Sequence, residues 1–245
     1  MRATPGWAPA VADDRLWDMD LFVIRHGQSE NNKLYAETGS RAGRTPDSEL
    51  SELGHEQARR LAEAVREDRS HLDVEVLHTA LTHRCLQTVA PLADALGLEP
   101  IGRTDLGEVG GLYAAHPATG VRRPYPGLST QEMHDIAPSL TLPADVEQGS
   151  EWDGGFEEEH AEAQRRAAAV LDDLASRHGD RAKIGILTHQ HFGQLLIGAA
   201  AGIGEAGRKF ELSNSSVTAL RHEDGEWRVL WVNRVRHLDS DQINA

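Results

Sequence analysis

Arg25, His26 and Gly27 follow an unbroken run of four apolar residues at positions 21–24. Such a run is typical of a strand that is buried on both faces of a parallel sheet. Open α/β sheets bind their ligands at the carboxyl ends of these strands. The triplet therefore predicts a ligand site, with Arg25 as a fixed cation and His26 as a nucleophile or base. Gly27 lets the chain turn sharply and lets a ligand approach the backbone.

Residues of similar chemistry recur downstream, each beside a predicted element. Arg84 follows a second predicted buried strand at positions 74–77, Glu108 lies within the glycine-rich stretch at 106–112, and His189 follows the apolar run at 184–187. In this order the motifs resemble those of the histidine phosphatase superfamily, also called the phosphoglycerate mutase-like family. The resemblance covers about residues 19–235.

The resemblance implies that His26 is transiently phosphorylated during the reaction. It implies two phosphate-binding arginines, an acid for the leaving oxygen and a second histidine that donates to the phosphate. The catalytic set expected on this basis is Arg25, His26, Arg84, Glu108 and His189. Three further residues are expected to bind the substrate: Gly27, Asn32 and Gln190.

These residue types suit phosphoryl transfer, in which positioning and electrostatic stabilisation dominate catalysis. Arginine presents a planar fork of donors that stays charged at any working pH. Attack by His26 requires a neutral ring whose other nitrogen is held by an acceptor such as a backbone carbonyl. Glu108 can act as acid and then as base in a partly dry site. Competing carboxylates lie nearby in the sequence at Glu132, Glu151, Glu157, Glu158 and Glu159.

Strand and helix patterns alternate along the chain and predict an α/β fold. The resemblance implies a three-layer αβα sandwich with a mostly parallel central sheet, as in phosphoglycerate mutase-like proteins. Helical stripes occupy about residues 53–65, 85–96, 156–177 and 192–201, with Gly97 as a helix cap. Pro91 is expected to kink or shorten its helix, and 217–220 should pair with 227–232 as a hairpin across Asp224 and Gly225.

We expect an N-terminal arm at residues 1–18, followed by one domain at 19–240. Residues 33–50 are predicted to form a long polar loop. An insert at about 113–153 loses helical periodicity and is interpreted as a lid over the site, with a short helix around 130–136. Arg122 and Arg123 lie in this insert, where they either reach the far end of a substrate or remain solvated.

The net charge of −14 argues against nonspecific nucleic-acid binding, which rewards clustered Lys and Arg. No apolar run approaches the roughly 20 residues of a membrane helix, so no membrane partner is expected. A single cysteine, Cys85, fits a reducing compartment and a cytoplasmic location. The expected partner is a small phosphorylated substrate, with no cofactor and a possible homo-oligomer.

A metal-independent phosphomonoesterase of the histidine acid type is the favoured function, with a phosphoglycerate mutase as the alternative. A mutase needs a second basic subsite, and the sequence offers only Arg41, Arg44, Arg122 and Arg123 for it. Two departures from the family pattern also favour a phosphatase: Asn31 replaces the tryptophan usual in mutases, and Gln190 replaces the glycine that often follows the second histidine.

Two further classes of function remain open. The pair His189 and His191 could bind Zn²⁺ in a metal-dependent hydrolase, although no acidic motif at metal spacing stands beside it. A non-catalytic protein that binds a phosphorylated ligand is a third possibility. The presence of a nucleophile, His26, argues against it, because a binding protein needs none.

Overall fold

The computed structural model describes residues 19–116, 118–147, 154–155, 158–178, 182–204 and 209–244. The strands in these ranges are β1 (Met19–Arg25), β2 (Val76–Ala80), β3 (Ile101–Arg103), β4 (Tyr113–Ala115), β5 (Arg122–Pro124), β6 (Lys183–Thr188), β7 (Val217–Glu223) and β8 (Glu226–Arg234). The α-helices are α1 (Glu30–Thr38), α2 (Glu52–Glu67), α3 (His83–Leu96), α4 (Thr130–Ile136), α5 (Ala144–Glu147), α6 (His160–His178) and α7 (Gln190–Ala200). The predicted arm at 1–18 lies outside the described residues, as do Phe156 and Gly179 at the ends of a predicted helix.

A six-stranded sheet in the order β3-β2-β6-β1-β7-β8 forms the centre of the fold. The four strands from β3 to β1 are parallel, whereas β7 and β8 run antiparallel to their neighbours. Helix α2 packs against α3, and α6 packs against α7. The predicted α/β class with a mostly parallel central sheet is therefore confirmed.

Strand β1 lies between β6 and β7, and its apolar side chains belong to the core. Leu21 and Ile24 are fully buried, and Val23 is nearly so. Burial of each such side chain stabilises the fold by about 1.5–3 kcal/mol. Because protein covers both faces of the strand, its sequence is an unbroken apolar run rather than an alternating one.

The parallel strands bring the separated motifs to one edge of the sheet. Arg25 at the end of β1 pairs with Thr188 at the end of β6, and β2 ends beside β6 at Ala80. His26 and His189 follow their strands at once, and Arg84 lies in the first turn of α3. Side chains from three distant parts of the chain therefore face one another.

Helix α1 corrects the prediction of a loop that begins at residue 33. Ser29 and Asn32 form a capping box at the start of this helix, and Gly39 ends it with φ 66°. None of its residues is buried, so no apolar stripe marks it in the sequence. Local capping bonds define the helix, and hydrophobic periodicity does not detect such a signal.

Other boundaries follow tertiary packing rather than local pattern. Strand β2 begins two residues later than predicted, at Val76, and extends to Ala80 because it pairs with β6 as far as Thr79. Pro91 was expected to kink or shorten helix α3, and of these two the shortening does not occur, because the helix continues to Leu96. Buried α3 residues on both sides of the proline offset the lost backbone bond. The predicted hairpin is confirmed, with strands longer than predicted.

The insert that follows Leu112 contains more regular structure than its sequence indicates. Strands β4 and β5 form a small antiparallel sheet, and α4 spans the residues predicted for a short helix. A second hydrophobic cluster joins this region to the end of β2 and to α3 through Leu81, Leu86, Leu112, Met133, Ala137, Leu140, Leu142 and Val146. The insert is thus packed onto the main core.

The loop after β1 is packed directly against the first turn of α2. A Cβ atom added at Gly54 would lie 2.0 Å from the carbonyl oxygen of Gln28, and one added at Gly27 would lie 2.5 Å from that of Gly54. Gln28 is also fixed by hydrogen bonds, since its N–H donates to Gln57 Oε1 and its carbonyl accepts from Ser51 N. Only glycine permits this approach.

We therefore expect Gly54→Ala to lower the free energy of unfolding by about 3 kcal/mol, because backbone rather than a flexible side chain blocks the new methyl group. Urea denaturation followed by circular dichroism would measure it. Gly204→Ala serves as the control, since no described atom lies within 4 Å of the added Cβ and its φ needs no glycine. Equal stability of both variants would contradict the packing argument.

Candidate active site

A cavity of about 840 Å³ opens where β1 and β6 end. Six of the predicted site residues line it: Arg25, His26, Asn32, Arg84, Glu108 and Gln190. His189 is fully buried and contacts the cavity through Arg84. Gly27 is not among the described residues that line the cavity, and its close approach is to the backbone of α2, so its contact with a ligand stays a prediction.

His26 is held in one ring orientation. Its Nδ1 lies 2.6 Å from the carbonyl oxygen of Gly27, and its Nε2 lies 3.3 Å from Nε of Arg84. A carbonyl only accepts and a guanidinium only donates, so Nδ1 carries the hydrogen and Nε2 presents a lone pair towards the cavity. The backbone carbonyl of His26 accepts from Ser215 N and from Asn214 Nδ2. Both the ring and the backbone of His26 are thus fixed.

The surroundings of His26 favour an uncharged ring. Burial lowers its pKa well below the ordinary value, and the nearby cations Arg84 and Arg25 lower it further. A hydrogen bond to the Gly27 carbonyl acts in the opposite direction and is outweighed. A neutral ring with a lone pair on Nε2, which here accepts from Arg84, is the form that attacks phosphorus once that contact is released.

Arg84 joins both histidines to an acidic residue. Its Nη2 lies 3.1 Å from Nδ1 of His189, and its Nη1 lies 3.3 Å from Oδ1 of Asp47. Asp47 also accepts from the N–H of His83, the first residue of α3. Sequence analysis missed Asp47, which lies in the loop before α2 and has no local signal for this contact. Burial raises the pKa of Asp47, and the charge of Arg84 opposes that rise.

Arg25 is almost completely buried, with only 2% of its surface exposed. Its Nη1 donates to the carbonyl of Leu212, while its Nε has no hydrogen-bond partner in the described part of the chain. Burial lowers the pKa of Arg25 to about 10, which leaves it charged at neutral pH. A buried donor without a partner at a cavity wall suits an anionic ligand.

Glu108 lies against the N-terminus of α7. Its Oε1 accepts from the N–H groups of Val109 and Phe192 at 2.9 and 3.0 Å, and its Oε2 accepts from that of His191 at 3.3 Å. Oε2 makes one long bond, so this oxygen can accept a further hydrogen bond. The helix end both binds and orients the carboxyl group.

The competing carboxylates that the structure describes make other contacts. Glu132 caps α4, and Glu158 pairs with Arg166. Glu159 is not among the described residues that line the cavity. Glu151 and Glu157 lie outside the described residues. A carboxylate that sequence analysis did not consider, the exposed Glu211, lies at the cavity rim.

Two amide groups add donors to the cavity. The described hydrogen bonds of the Asn32 side chain all use Oδ1, which accepts from Ser29 and Asn214, so Nδ2 keeps both hydrogens. At the start of α7, the N–H groups of His191 and Phe192 bind Glu108, whereas that of Gln190 has no partner among the described residues. A free N–H at a helix N-terminus favours an anion.

Positive charge also gathers at the outer part of the cavity. The guanidinium carbons of Arg44 and Arg122 lie 4.4 and 4.3 Å from the ring centroid of Tyr113, and Arg44 donates to its hydroxyl. Burial lowers the pKa of Arg44, and Arg84, Arg41 and Arg122 lower it further. No carboxylate within the described ranges forms an ion pair with Arg44 or Arg122. Sequence analysis named these arginines but not Tyr113, which holds them.

The two histidines proposed as metal ligands face different surroundings. His189 points at Arg84 and Cys85, whereas the ring of His191 stacks on His160 with centroids 5.3 Å apart. Among the described residues, no group of three or more His, Cys, Asp or Glu side chains is arranged to hold a metal ion.

In the same ranges no helix is both long and apolar enough to cross a membrane.

The chain is similar in sequence to known proteins. A family model described as the histidine phosphatase superfamily, branch 1, matches residues 21–235. The chain is 35% identical over 88 residues to a probable phosphatase of Schizosaccharomyces pombe, covering 36% of this chain and 38% of that protein. It is 39% identical over 75 residues to a phosphoglycerate mutase of Candida albicans, covering 31% of this chain and 27% of that protein.

Solved structures share the fold. Phosphoserine phosphatase from Entamoeba histolytica, in complex with 3-phosphoglyceric acid, has a TM-score of 0.61 at 20% identity, covering 90% of this chain and all of that one. The native mycobacterial glucosyl-3-phosphoglycerate phosphatase has a TM-score of 0.58 at 20% identity, covering 88% of this chain and 99% of that one. At these identities the likeness concerns the fold.

The buried histidines predict a pH dependence of stability. In the folded chain the pKa values of His26 and His189 lie well below 6.5, whereas unfolded histidines titrate near 6.5. Below that pH the unfolded state binds more protons, so stability falls as pH decreases. Each histidine contributes up to ~1.4 kcal/mol per pH unit.

The free energy of unfolding, measured in urea from pH 7.5 to 5, should decrease less steeply for His26→Gln than for the wild type. The difference isolates the share of one histidine, because the acidic groups common to both proteins cancel. Parallel stability curves for the two proteins would show that folding does not lower the pKa of His26 and would contradict the argument.

Proposed function

The chain belongs to the histidine phosphatase superfamily, and we propose that it is a metal-independent phosphomonoesterase that forms a phosphohistidine on His26. One observation carries the proposal: a neutral imidazole with its Nε2 lone pair at the cavity lies beside the guanidinium of Arg84. A nucleophile for phosphorus must lie beside the group that holds the phosphoryl oxygens. Arg25, whose Nε finds no partner among the described residues, supplies a second cation at the same wall.

In the first step, Nε2 of His26 attacks phosphorus, and the ester P–O bond breaks. The leaving oxygen takes a proton from Oε2 of Glu108, so the product is a neutral alcohol. In the second step, water attacks the phosphohistidine and gives its proton to Glu108 while the P–N bond breaks. Phosphate leaves, and both side chains return to their starting states.

The phosphoryl oxygens would be held by donors that the protein already aims at the cavity. Arg84 exchanges its contacts with the two histidines for charge-assisted hydrogen bonds to the phosphoryl oxygens. Asp47 keeps the Arg84 guanidinium in place. The N–H of Gln190 and Nδ2 of Asn32 supply neutral donors. His189 donates to the phosphate in this scheme, as the family resemblance implies.

The preferred substrates would carry a second anionic group, such as a carboxylate. Support comes from the outer part of the cavity, where Arg44 and Arg122 lie against the ring of Tyr113 and neither forms an ion pair with a carboxylate of the described residues. Like charges that are gathered without a counter-charge are relieved by an anionic ligand. Because Tyr113 and Arg122 belong to the insert, we retain the interpretation of the insert as a lid.

The same observation favours a second candidate, a phosphoglycerate mutase, because a mutase also needs a basic region beyond the nucleophile. One of the matched relatives is named a phosphatase and another a mutase. Asn31 and Gln190 favour the phosphatase, as argued from the sequence. Conversion of 3-phosphoglycerate to its 2-isomer at a rate above phosphate release would identify the mutase instead.

We also propose a cytoplasmic location and a small phosphorylated partner. The location is supported by the one cysteine of the chain, Cys85, a free buried thiol. A homo-oligomer remains compatible with the proposed chemistry, since the residues assigned to it come from a single chain.

His26→Ala should lower kcat/KM for a small aryl phosphate by at least about 10³-fold, because it removes the group that forms the covalent intermediate. Phosphate release from a panel of monoesters in the presence of EDTA would measure it. His55→Ala, at an exposed histidine of α2, is the matched control and should retain activity. Equal turnover by wild type and His26→Ala would remove His26 as the nucleophile.

Arg122→Gln should lower kcat/KM for 3-carboxyphenyl phosphate about tenfold while leaving phenyl phosphate nearly unchanged, because only the former carries a second anion. Arg123→Gln is the matched control, since this neighbouring arginine of β5 is exposed and does not line the cavity. Equal losses on both substrates would contradict recognition of a second anion while leaving the phosphatase proposal intact.

A further inference from the structure

Gln57 is a polar residue on the buried face of α2, and none of its surface is exposed. The other buried residues of this helix are glycine or have apolar side chains. A buried amide is costly unless its donors and acceptor find partners. Gln57 is not among the described residues that line the cavity, so direct contact with a substrate does not explain its presence.

Both ends of the Gln57 amide are hydrogen-bonded. Its Oε1 accepts from the N–H of Gln28 at 2.8 Å. Its Nε2 donates to the carbonyl oxygen of Gln242 at 2.7 Å and to Oδ1 of Asn244 at 3.0 Å. Because a backbone N–H only donates and a backbone carbonyl only accepts, these partners fix which end of the amide is the oxygen. Gln57 therefore joins the loop after β1 to residues 242–244.

The peptide group between Gly27 and Gln28 connects Gln57 to the nucleophile. Its carbonyl oxygen lies 2.6 Å from Nδ1 of His26, and its N–H is the group that Gln57 binds. This peptide is trans, so its C=O and N–H bonds point in opposite directions. A partner that fixes the direction of the N–H therefore also fixes the direction of the carbonyl.

The peptide groups on either side have partners of their own. The N–H of Gly27 donates to Oγ1 of Thr88. The carbonyl of Gln28 accepts from the N–H of Ser51. Between them, the Gly27–Gln28 peptide has two described hydrogen bonds, one to the nucleophile and one to Gln57. Glycine permits a wide range of backbone angles, so the orientation of this peptide depends on the contact with Gln57.

We propose that Gln57 is a positioning residue for the nucleophile, which directs the Gly27 carbonyl at Nδ1 of His26. This inference rests on the proposed function. When Nε2 attacks phosphorus the ring becomes positively charged, and an N–H of a charged ring binds a carbonyl more strongly than one of a neutral ring. The contact is therefore stronger in the transition state than in the ground state, and it favours the reaction rather than binding.

Gln57→Met removes the acceptor for Gln28 and keeps an unbranched, flexible side chain. We expect it to lower kcat/KM for phenyl phosphate about tenfold, because the charged ring loses an aligned acceptor. The inhibition constant of inorganic phosphate, measured by steady-state kinetics, should change less than about twofold, since phosphate binds without attack by His26. Asn244→Ala is the matched control: it removes one acceptor at the far end of the amide, leaves Oε1 bound to Gln28 and should retain activity.

The contact itself can be observed by ¹H–¹⁵N NMR of protein labelled with ¹⁵N-histidine. The Nδ1–H of wild-type His26 should be protected from exchange with water, and its resonance is assigned by its absence from His26→Ala. In Gln57→Met this hydrogen should exchange faster. Gln57→Glu again offers an oxygen to Gln28 and should restore both the protection and most of kcat/KM.

A purely structural role for Gln57 would lower the unfolding midpoint of Gln57→Met and leave kcat/KM and the His26 resonance unchanged, which would overturn the proposal. A loss of phosphate affinity equal to the loss in kcat/KM would overturn it as well. Should Gln57→Met not fold, the wild type decides, because a Gln28 amide that exchanges as fast as an exposed one contradicts the contact. Wild-type protein that hydrolyses no monoester would overturn the proposed function, and the His26 resonances would then decide the positioning role alone.

Discussion

The guanidinium of Arg84, placed between the rings of His26 and His189, is the contact on which the rest of the site depends. It joins side chains that follow β1 and β6 to the first turn of α3, while Asp47 anchors it from the loop before α2. Because arginine only donates, the same contact determines which nitrogen of each ring holds a lone pair. The position of Arg84 thus depends on the strand order and on the start of α3, and it in turn determines the tautomers of both histidines.

This arrangement concentrates positive charge in a protein whose net charge is −14. Burial lowers the pKa of Arg25 to about 10 and keeps the rings of His26 and His189 neutral, which shows how strongly the site resists further protons. A phosphoryl group would supply the missing negative charge and bind donors that are already aimed. Such preorganised donors stabilise developing charge without rearrangement at the moment of reaction.

The strand ends and their chemistry could be predicted because parallel strands expose the residues that follow them at one edge. The contacts of Asp47 and Gln57 could not, since both depend on elements distant in sequence that meet only in the folded chain. Helix α1 was missed because capping bonds rather than an apolar stripe define it. The sequence of the insert shows no helical periodicity because its apolar residues are scattered. In the folded chain these residues nevertheless pack on Leu81 and Leu86 of the main fold.

The two ends of the cavity are built differently. In the proposed function, the end at His26 carries out the reaction and the outer end selects the substrate. At the phosphoryl end, Arg25, His26 and His189 are buried at or just after strand ends, so their geometry is tightly held. At the outer end, Arg44 comes from a loop and Arg122 from the insert, and an aromatic face rather than a carboxylate holds them. An aromatic ring orients a cation without neutralising it, whereas a carboxylate would compete with the ligand. Changes in the loop or the insert can therefore alter which anion is recognised while His26 and Arg84 keep their arrangement.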